Sequence, residues 1–347
     1  MKRKHWRRIG LGLLAVLLIL IIVYRDLISY GLGQAKGQYT IIRNARPVAE
    51  VMADPATPDS IRQQLKLVEE VRNYAMNTLQ LHQSDNYTTY YDQQGRELMF
   101  VVTACEPFAL QPKKWQFPII GSFPYKGFFD STKAQKEANI WRNQGYDVRV
   151  RTAGGWSTLG YFKDPILSNM LDRSEGGIAD LIIHELTHAT VFVKDSVEFN
   201  ENLATFIGER GAEQFLAEKY GPDSDQLNAY IAGRENGRIF ADHILRGAQQ
   251  LDQFYQNLDP ALDSTAKATQ KWALIKEIAA TIDTLSFLGG DARYGTVFEN
   301  QLPNNAYFMS FLRYRQGQST LETWFQEEYQ GDLQALLADM KRRYPSL

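Results

Sequence analysis

Two histidines near the middle of the chain, His184 and His188, are four residues apart, and Glu185 directly follows the first. The surrounding residues, IADLIIHELTHATVFV, are apolar at helical spacing and contain neither glycine nor proline. Residues four apart on a helix share a face, so both imidazoles can reach one metal ion. Glu185 can then take a proton from water bound to that ion. The pattern predicts a hydrolytic site with one Zn²⁺ ion, held by His184 and His188, with Glu185 as its catalytic base.

A catalytic zinc site usually has three protein ligands and one open position. We predict Glu201 as the third ligand, because Asn200 can cap a helix over residues 201–220 and so place the carboxylate in its first turn. The alternative ligands are Glu198 and Glu209. The chain has one cysteine, which excludes a cysteine-rich metal site and an internal disulfide.

A strand is predicted over residues 156–162. It comes shortly before the helix that carries His184 and His188, which we call the zinc helix. An exposed edge strand there could pair with a peptide backbone. The predicted substrate-binding residues are Ser157, Thr158, Leu159 and Gly160. The alternative is an ordinary strand that packs beneath the helix.

The elements that position these residues predict one α+β domain that is predominantly helical. Short strand-like runs separated by glycine and proline lie between residues 97 and 162, after a helical face over 61–79. From Gly177 onwards almost everything is helical. We therefore expect helices and a small sheet over 36–176, then the zinc helix and a helical half over 177–347.

The N-terminal segment has a different composition from the rest of the chain. Residues 1–26 hold six lysines or arginines and one acid, although the net charge of the chain is -2. An uncharged apolar run covers 9–24. A spanning helix needs roughly 20 apolar residues, so we predict a cytoplasmic basic tip and a transmembrane signal anchor over 1–35. A cleaved signal peptide is the alternative.

The basic flank would keep the N-terminus in the cytoplasm. We therefore expect a single-pass protein of the bacterial inner membrane with the catalytic domain over 36–347 on the periplasmic side. The near-neutral charge argues against a nucleic-acid partner.

Several short motifs, taken in order along the chain, resemble the bacterial "putative aminopeptidase" family. The matching residues are Gly37-Gln38, Ala45-Arg46-Pro47-Val48, Phe117-Pro118, Tyr125-Lys126-Gly127-Phe128-Phe129, Ser157-Thr158-Leu159-Gly160-Tyr161-Phe162, the zinc helix, Phe199-Asn200-Glu201 and Asn304-Asn305-Ala306. The zinc motif followed by Asn200-Glu201 also resembles the gluzincin clan of zinc metallopeptidases, whose third ligand is a glutamate on the next helix. The resemblance therefore implies a gluzincin-like fold with a small sheet beside the zinc helix.

The resemblance also implies a tyrosine where Tyr314 stands, and a tyrosine hydroxyl can stabilise the oxyanion that forms during hydrolysis. Tyr307 is the alternative donor, whereas His243 has no motif around it. Together these features predict a membrane-anchored zinc metallopeptidase, and the resemblance implies an aminopeptidase that acts on peptides. The alternatives are a zinc endopeptidase and a non-catalytic zinc-binding protein.

Overall fold

The computed structural model describes most of the chain. The described residues are 21–117, 121–153, 163–194, 196–290, 293–315 and 318–344, together with Trp6, 11–15 and Ile19. The helices are α1 (Arg25–Asn44), α2 (Val48–Ala53), α3 (Asp59–Asn77), α4 (Ser131–Asn143), α5 (Glu175–His188), α6 (Val197–Tyr220), α7 (Asp225–Gln256), α8 (Ser264–Ala280), α9 (Asn305–Arg315), α10 (Gln318–Tyr329) and α11 (Leu333–Arg343). The strands are β1 (Arg46–Pro47), β2 (Thr89–Tyr91), β3 (Phe100–Cys105), β4 (Trp115–Phe117), β5 (Gly121–Phe123), β6 (Lys126–Phe128), β7 (Asp147–Thr152) and β8 (Ile166–Leu167).

This arrangement is a mostly helical α+β fold, as the sequence predicts. Within the described residues the strands form three small sheets, in the orders β1-β2-β8, β6-β3-β7 and β4-β5. In the second sheet β3 is central and runs antiparallel to both neighbours, with Thr103 opposite Arg149. Helix α4 packs against one face of this sheet, where Val102 and Val148 are buried among its alanines. Helix α9 also packs on β3 and β7.

The N-terminal region differs from the prediction. In the part of the chain that the structure describes, no helix is both long and apolar enough to cross a membrane, so the predicted transmembrane helix is wrong. Charged residues interrupt the apolar ones of α1, namely Arg25, Asp26, Lys36 and Arg43. Part of the apolar run lies outside the described residues, at positions 9–10, 16–18 and 20.

Helix α1 packs against the rest of the protein through its middle turns. The ring of Tyr30 lies 5.5 Å from that of Phe128 and 5.7 Å from that of Phe117, measured between centroids. The side-chain amide of Gln34 donates a 2.9 Å hydrogen bond to the carbonyl oxygen of Gly127 in β6. These contacts attach α1 to the edge of the sheet.

The main core surrounds α5, the helix predicted to carry the zinc ligands. The buried side chains of α5 include Ile178, Ile182, Ile183 and Leu186. They pack with buried residues of α3, α6 and α11, so α5 is covered by other helices along most of its length. Each buried leucine or isoleucine contributes about 1.5–3 kcal/mol of transfer free energy, which makes α5 a rigid support for polar side chains at its end.

The single cysteine, Cys105, ends β3 and is buried. Its thiol donates a 3.4 Å hydrogen bond to the carbonyl oxygen of Ala109. Burial, together with the negative charge of Asp147, raises the pKa of this thiol to about 12.

Candidate metal centre

Helix α5 presents the two histidines on its last turns. It begins after Ser174, whose hydroxyl accepts a hydrogen bond from the backbone N–H of Gly177 and so caps the helix. His184 and His188 lie one turn apart, and their side chains are 19% and 10% exposed. Their Nε2 atoms are 3.2 Å apart, so both imidazoles point to the same place.

The connection from α5 to α6 is short and is fixed by Asn200. The Asn200 side chain accepts a 2.8 Å hydrogen bond from the N–H of Val193 and donates another of 2.8 Å to its carbonyl oxygen. The prediction that Asn200 caps a helix starting at Glu201 is wrong, because α6 begins at Val197. Glu201 therefore lies in the second turn, where its backbone is already helical.

Two glycines of α6 allow it to approach α5 closely. A Cβ atom at Gly208 would lie 2.5 Å from Oδ1 of Asp180 and 3.1 Å from Cβ of His184. A Cβ atom at Gly211 would lie 3.0 Å from Ile183. Glu201 is seven residues before Gly208, or about two turns, and so shares its face of the helix. The close approach thus directs Glu201 towards α5.

The carboxylate of Glu201 completes the cluster with the two histidines. Its Oε2 lies 3.8 Å from Nε2 of His184, and its Oε1 lies 3.6 Å from Nε2 of His188. One ligand atom from each residue lies within 4.8 Å of the other two. The structure therefore brings together the three residues that the sequence predicts as ligands, in an arrangement that could hold a metal ion.

The electrostatic environment keeps the two histidines ready to bind a metal. Burial lowers the pKa of His184 to about 3, helped by the neighbouring His188, and lowers the pKa of His188 to about 4. Both imidazoles are therefore neutral at pH 7, which is the form that binds metals. Burial also raises the pKa of Glu201 above its ordinary value, because the charged carboxylate loses hydration.

Glu185 lies between the two histidines in sequence, and its surroundings disfavour the charged carboxylate. Burial is the main cause that raises its pKa to about 8, and the negative charges of Glu201 and Asp164 raise it further. A carboxyl group with a pKa near neutrality is suited to exchange protons at pH 7.

The other predicted residues lie in different positions. Glu198 is exposed on the first turn of α6, and Glu209 forms a 3.6 Å ion pair with Arg234, so neither joins the cluster. His243 is buried, and its Nε2 lies 2.9 Å from the carbonyl oxygen of Ile278.

The predicted oxyanion donors are on α9. Tyr314 lies in the last turns of that helix. The alternative, Tyr307, has its ring 4.4 Å from the guanidinium carbon of Arg149, and burial raises its pKa to about 12. The predicted substrate strand, with Ser157, Thr158, Leu159 and Gly160, lies outside the described residues.

Comparison with known proteins agrees with the resemblance seen in the sequence. A family model described as "Putative aminopeptidase" matches residues 29–344, which is most of the chain. The chain belongs to this family. No curated protein and no solved structure matches it. Membership in this family supports the interpretation of the protein as a peptidase.

Two acidic residues near the cluster, Asp164 and Asp180, were not identified from the sequence. Asp164 is 1% exposed, and its charge contributes to the raised pKa of Glu185. Asp180 lies one turn before His184, and burial together with the charge of Glu209 raises its pKa to about 7. The four-residue spacing from Asp180 to His184 was a visible signal, whereas Asp164 lies 20 residues before His184 and had none.

Proposed function

We propose that this protein is a zinc-dependent peptidase in which His184, His188 and Glu201 hold one Zn²⁺ ion and Glu185 is the catalytic base. The observation that carries the proposal is the convergence of two neutral imidazoles and one carboxylate beside a partly buried glutamate. Peptides are the proposed substrates, in agreement with the family.

The cluster fits the coordination preferences of zinc. Bonds of roughly 2.0–2.2 Å in tetrahedral geometry place neighbouring ligand atoms about 3.3–3.6 Å apart. Here the two Nε2 atoms are 3.2 Å apart, Oε1 of Glu201 lies 3.6 Å from that of His188, and Oε2 lies 3.8 Å from that of His184. One ligand atom from each residue lies within 4.8 Å of the other two. Two nitrogens and one carboxylate oxygen leave a fourth position for substrate or water, which is the donor set of a catalytic rather than a structural site.

The residues of the chain then have separate tasks in peptide hydrolysis. Zinc, when bound, supplies Lewis-acid chemistry that polarises the scissile carbonyl and makes water a better nucleophile. Glu185 accepts a proton from the attacking water and passes it to the leaving amine. The pKa of Glu185 falls when a divalent cation occupies the adjacent ligands, since opposite charge favours the carboxylate. Glu185 is then anionic and can accept the proton.

We further propose that hydrolysis occurs at a free N-terminus and that Tyr314 donates a hydrogen bond to the developing oxyanion. Family membership supports the first part of this proposal. The position of Tyr314 on α9 supports the second, because α9 packs against α6, the helix that carries Glu201.

The test separates metal binding from catalysis. Glu185→Gln should retain one zinc per chain, measured by elemental analysis, and should lower kcat at least about 100-fold, as expected on loss of a general base. Glu201→Gln should lose the metal. Glu198→Gln is its matched control, since Glu198 lies one turn earlier on the same helix, and it should keep both metal and activity. Full activity of Glu185→Gln would refute the mechanism.

A second measurement addresses where the peptide is cut. Each peptide of a library is supplied with a free and with an acetylated N-terminus. Cleavage of only the free form supports an aminopeptidase, whereas equal cleavage of both forms would contradict it.

A further inference from the structure

A partly buried arginine on β7, Arg149, has no acidic partner in the part of the chain that the structure describes. Its Nη1 donates a 3.3 Å hydrogen bond to the hydroxyl of Ser310, and its guanidinium carbon lies 4.4 Å from the ring centroid of Tyr307. Burial lowers the pKa of Arg149, and the positive charge of Arg151 also lowers it. Arg149 is therefore a cation held among neutral groups and another cation.

The acid that could neutralise Arg149 is already engaged. Asp147 lies two residues earlier on β7, and alternate residues of a strand share a face. Its Oδ2 accepts a 2.6 Å hydrogen bond from Nζ of the buried Lys271 and a 2.8 Å bond from the backbone N–H of Asn305. Across the sheet Arg149 is opposite Thr103, which carries no charge.

Two further arginines surround the same region. Arg151 shares the face of β7 with Arg149, and the two line one small recess together with Ser310. Arg149 also lines a cavity of about 450 Å³ between α4, β7 and the segment before α9. The described residues of that cavity include polar and cationic side chains, namely Gln135, Arg142, Gln301 and Asn304. Their N–H groups are hydrogen-bond donors. One N–H of Gln135 and one of Arg142 already donate to Oδ1 of Asn139, and one of Asn304 donates to the carbonyl oxygen of Val148.

This arrangement is costly unless an anion joins it. A charge that loses water without gaining an opposite charge destabilises the folded state, and two arginines on one strand face repel each other. Guanidinium groups bind carboxylate and phosphate oxygens through paired N–H bonds. The cavity of about 450 Å³ gives such an anion access to Arg149. Arg151 lines the small recess, of about 20 Å³, but not that cavity.

We propose that Arg149 and Arg151 form an oxyanion-binding site, distinct from the metal cluster, whose ligand in turnover is the C-terminal carboxylate of a peptide. The identity of the ligand rests on the proposed function. Helix α9 supports this connection because it carries Tyr307 and Ser310 at the arginines and also packs on α6, the helix of Glu201. A short peptide bound at both places would be positioned by its C-terminal carboxylate.

The first experiment measures peptide binding without turnover. Zinc-loaded Glu185→Gln protein is titrated calorimetrically with a tripeptide that ends in a carboxylate and with the same tripeptide ending in an amide. The acid should bind at least about tenfold more tightly, which is 1.4 kcal/mol. Adding Arg149→Gln should remove this difference and leave the Kd of the amide unchanged. Arg149→Lys should restore part of it, because the charge remains while the planar fork is lost.

The second experiment does not depend on peptide hydrolysis or on zinc. Inorganic phosphate is added to the wild-type protein, and the shift in Tm is compared with that of Arg149→Gln and Arg151→Gln. The matched control is Arg246→Gln, which removes the same charge from an exposed position on α7. Phosphate should raise Tm in the wild type and in the control but not in the other two variants.

The outcomes separate the two sources of the anion. An Arg149-dependent preference for the acid peptide supports the peptide carboxylate. Equal binding of both peptides, with an Arg149-dependent effect of phosphate, leaves the oxyanion site in place and shows that its ligand is a free anion. Absence of both effects in well-folded protein overturns the site. If Glu185→Gln hydrolyses peptides normally, the proposed mechanism fails while the phosphate result still decides the oxyanion site.

Discussion

The side-chain amide of Asn200 and the backbone of Val193 form a closed pair of hydrogen bonds, each 2.8 Å long. This pair spans the turn between the two helices that carry the metal ligands, and Glu201 directly follows Asn200. The distance from Glu201 to the histidines therefore depends on a contact that touches none of them.

Replacing Asn200 with alanine should loosen the metal cluster. Both hydrogen bonds would be lost and the backbone groups of Val193 left unpaired, which costs about 1–3 kcal/mol of unfolding free energy. Zinc affinity should fall as well, because the backbone before Glu201 gains freedom. Urea unfolding and zinc competition with a chelator measure the two effects. Unchanged zinc affinity in a folded Asn200→Ala protein would show that the turn does not position Glu201.

Gly208→Ala should separate α5 from α6. The new methyl group would meet the carboxylate and the backbone carbonyl oxygen of Asp180, at 2.5 and 2.9 Å, so the helices must move. Such overpacking costs roughly 1–3 kcal/mol, and it should also weaken zinc binding. The control is Gly233→Ala in α7, where a Cβ meets nothing within 4 Å. It should stabilise the protein by roughly 0.5–1 kcal/mol.

Zinc binding should resist mild acid. Two histidines with ordinary pKa values of about 6.5 would lose roughly 100-fold in affinity between pH 7.5 and 5.5, because protons compete for both ligands. Here the pKa values of His184 and His188 are about 3 and 4, so both remain neutral over this range. Affinity measured by chelator competition should change less than about tenfold. A 100-fold loss by pH 5.5 would contradict the buried environment of these imidazoles.

Asp180 should make stability fall as the pH rises. Its pKa is raised from 3.8 to about 7 in the folded protein, so the folded state keeps a proton that the unfolded state releases. The stability that this bound proton gives the folded state is fully present below pH 3.8 and is lost as the pH rises through 7. Metal-free wild-type protein should therefore lose about 1 kcal/mol per pH unit relative to Asp180→Asn between pH 4.5 and 7. Asp283→Asn, which removes a carboxylate from an exposed position, is the control for the loss of charge.

The metal ligands were predictable because their arrangement is local. The spacing of His184 and His188 places them on one helix face wherever that helix packs, and apolar neighbours such as Ile182 and Leu186 ensure that it does pack. Glu201 was predictable as a member of the next helix. Its exact turn was not, because Asn200 hydrogen-bonds backwards to Val193 rather than capping the helix.

The remaining features depend on contacts between distant parts of the chain. Asp164 influences Glu185 only after the segment that precedes β8 folds near α5. Arg149 alternates along its strand like any surface residue, and the nearest acid on its strand face, Asp147, is engaged by Lys271. The hydrophobicity of residues 9–24 suggested a spanning helix, but no helix among the described residues is long and apolar enough to span a membrane, and α1 packs on the sheet through Tyr30. The predicted division into an anchor and a domain stays untested.

The buried thiol of Cys105 has a practical consequence for studying the cluster. A thiol with a pKa of about 12 is almost entirely protonated at pH 7 and so reacts slowly with maleimides. The unmodified chain is therefore a suitable background for site-directed spin or dye labelling, in which each introduced cysteine is the only reactive one. A label at an exposed position of α6, such as Glu218→Cys, would let spectroscopy follow the surroundings of that helix during ligand binding.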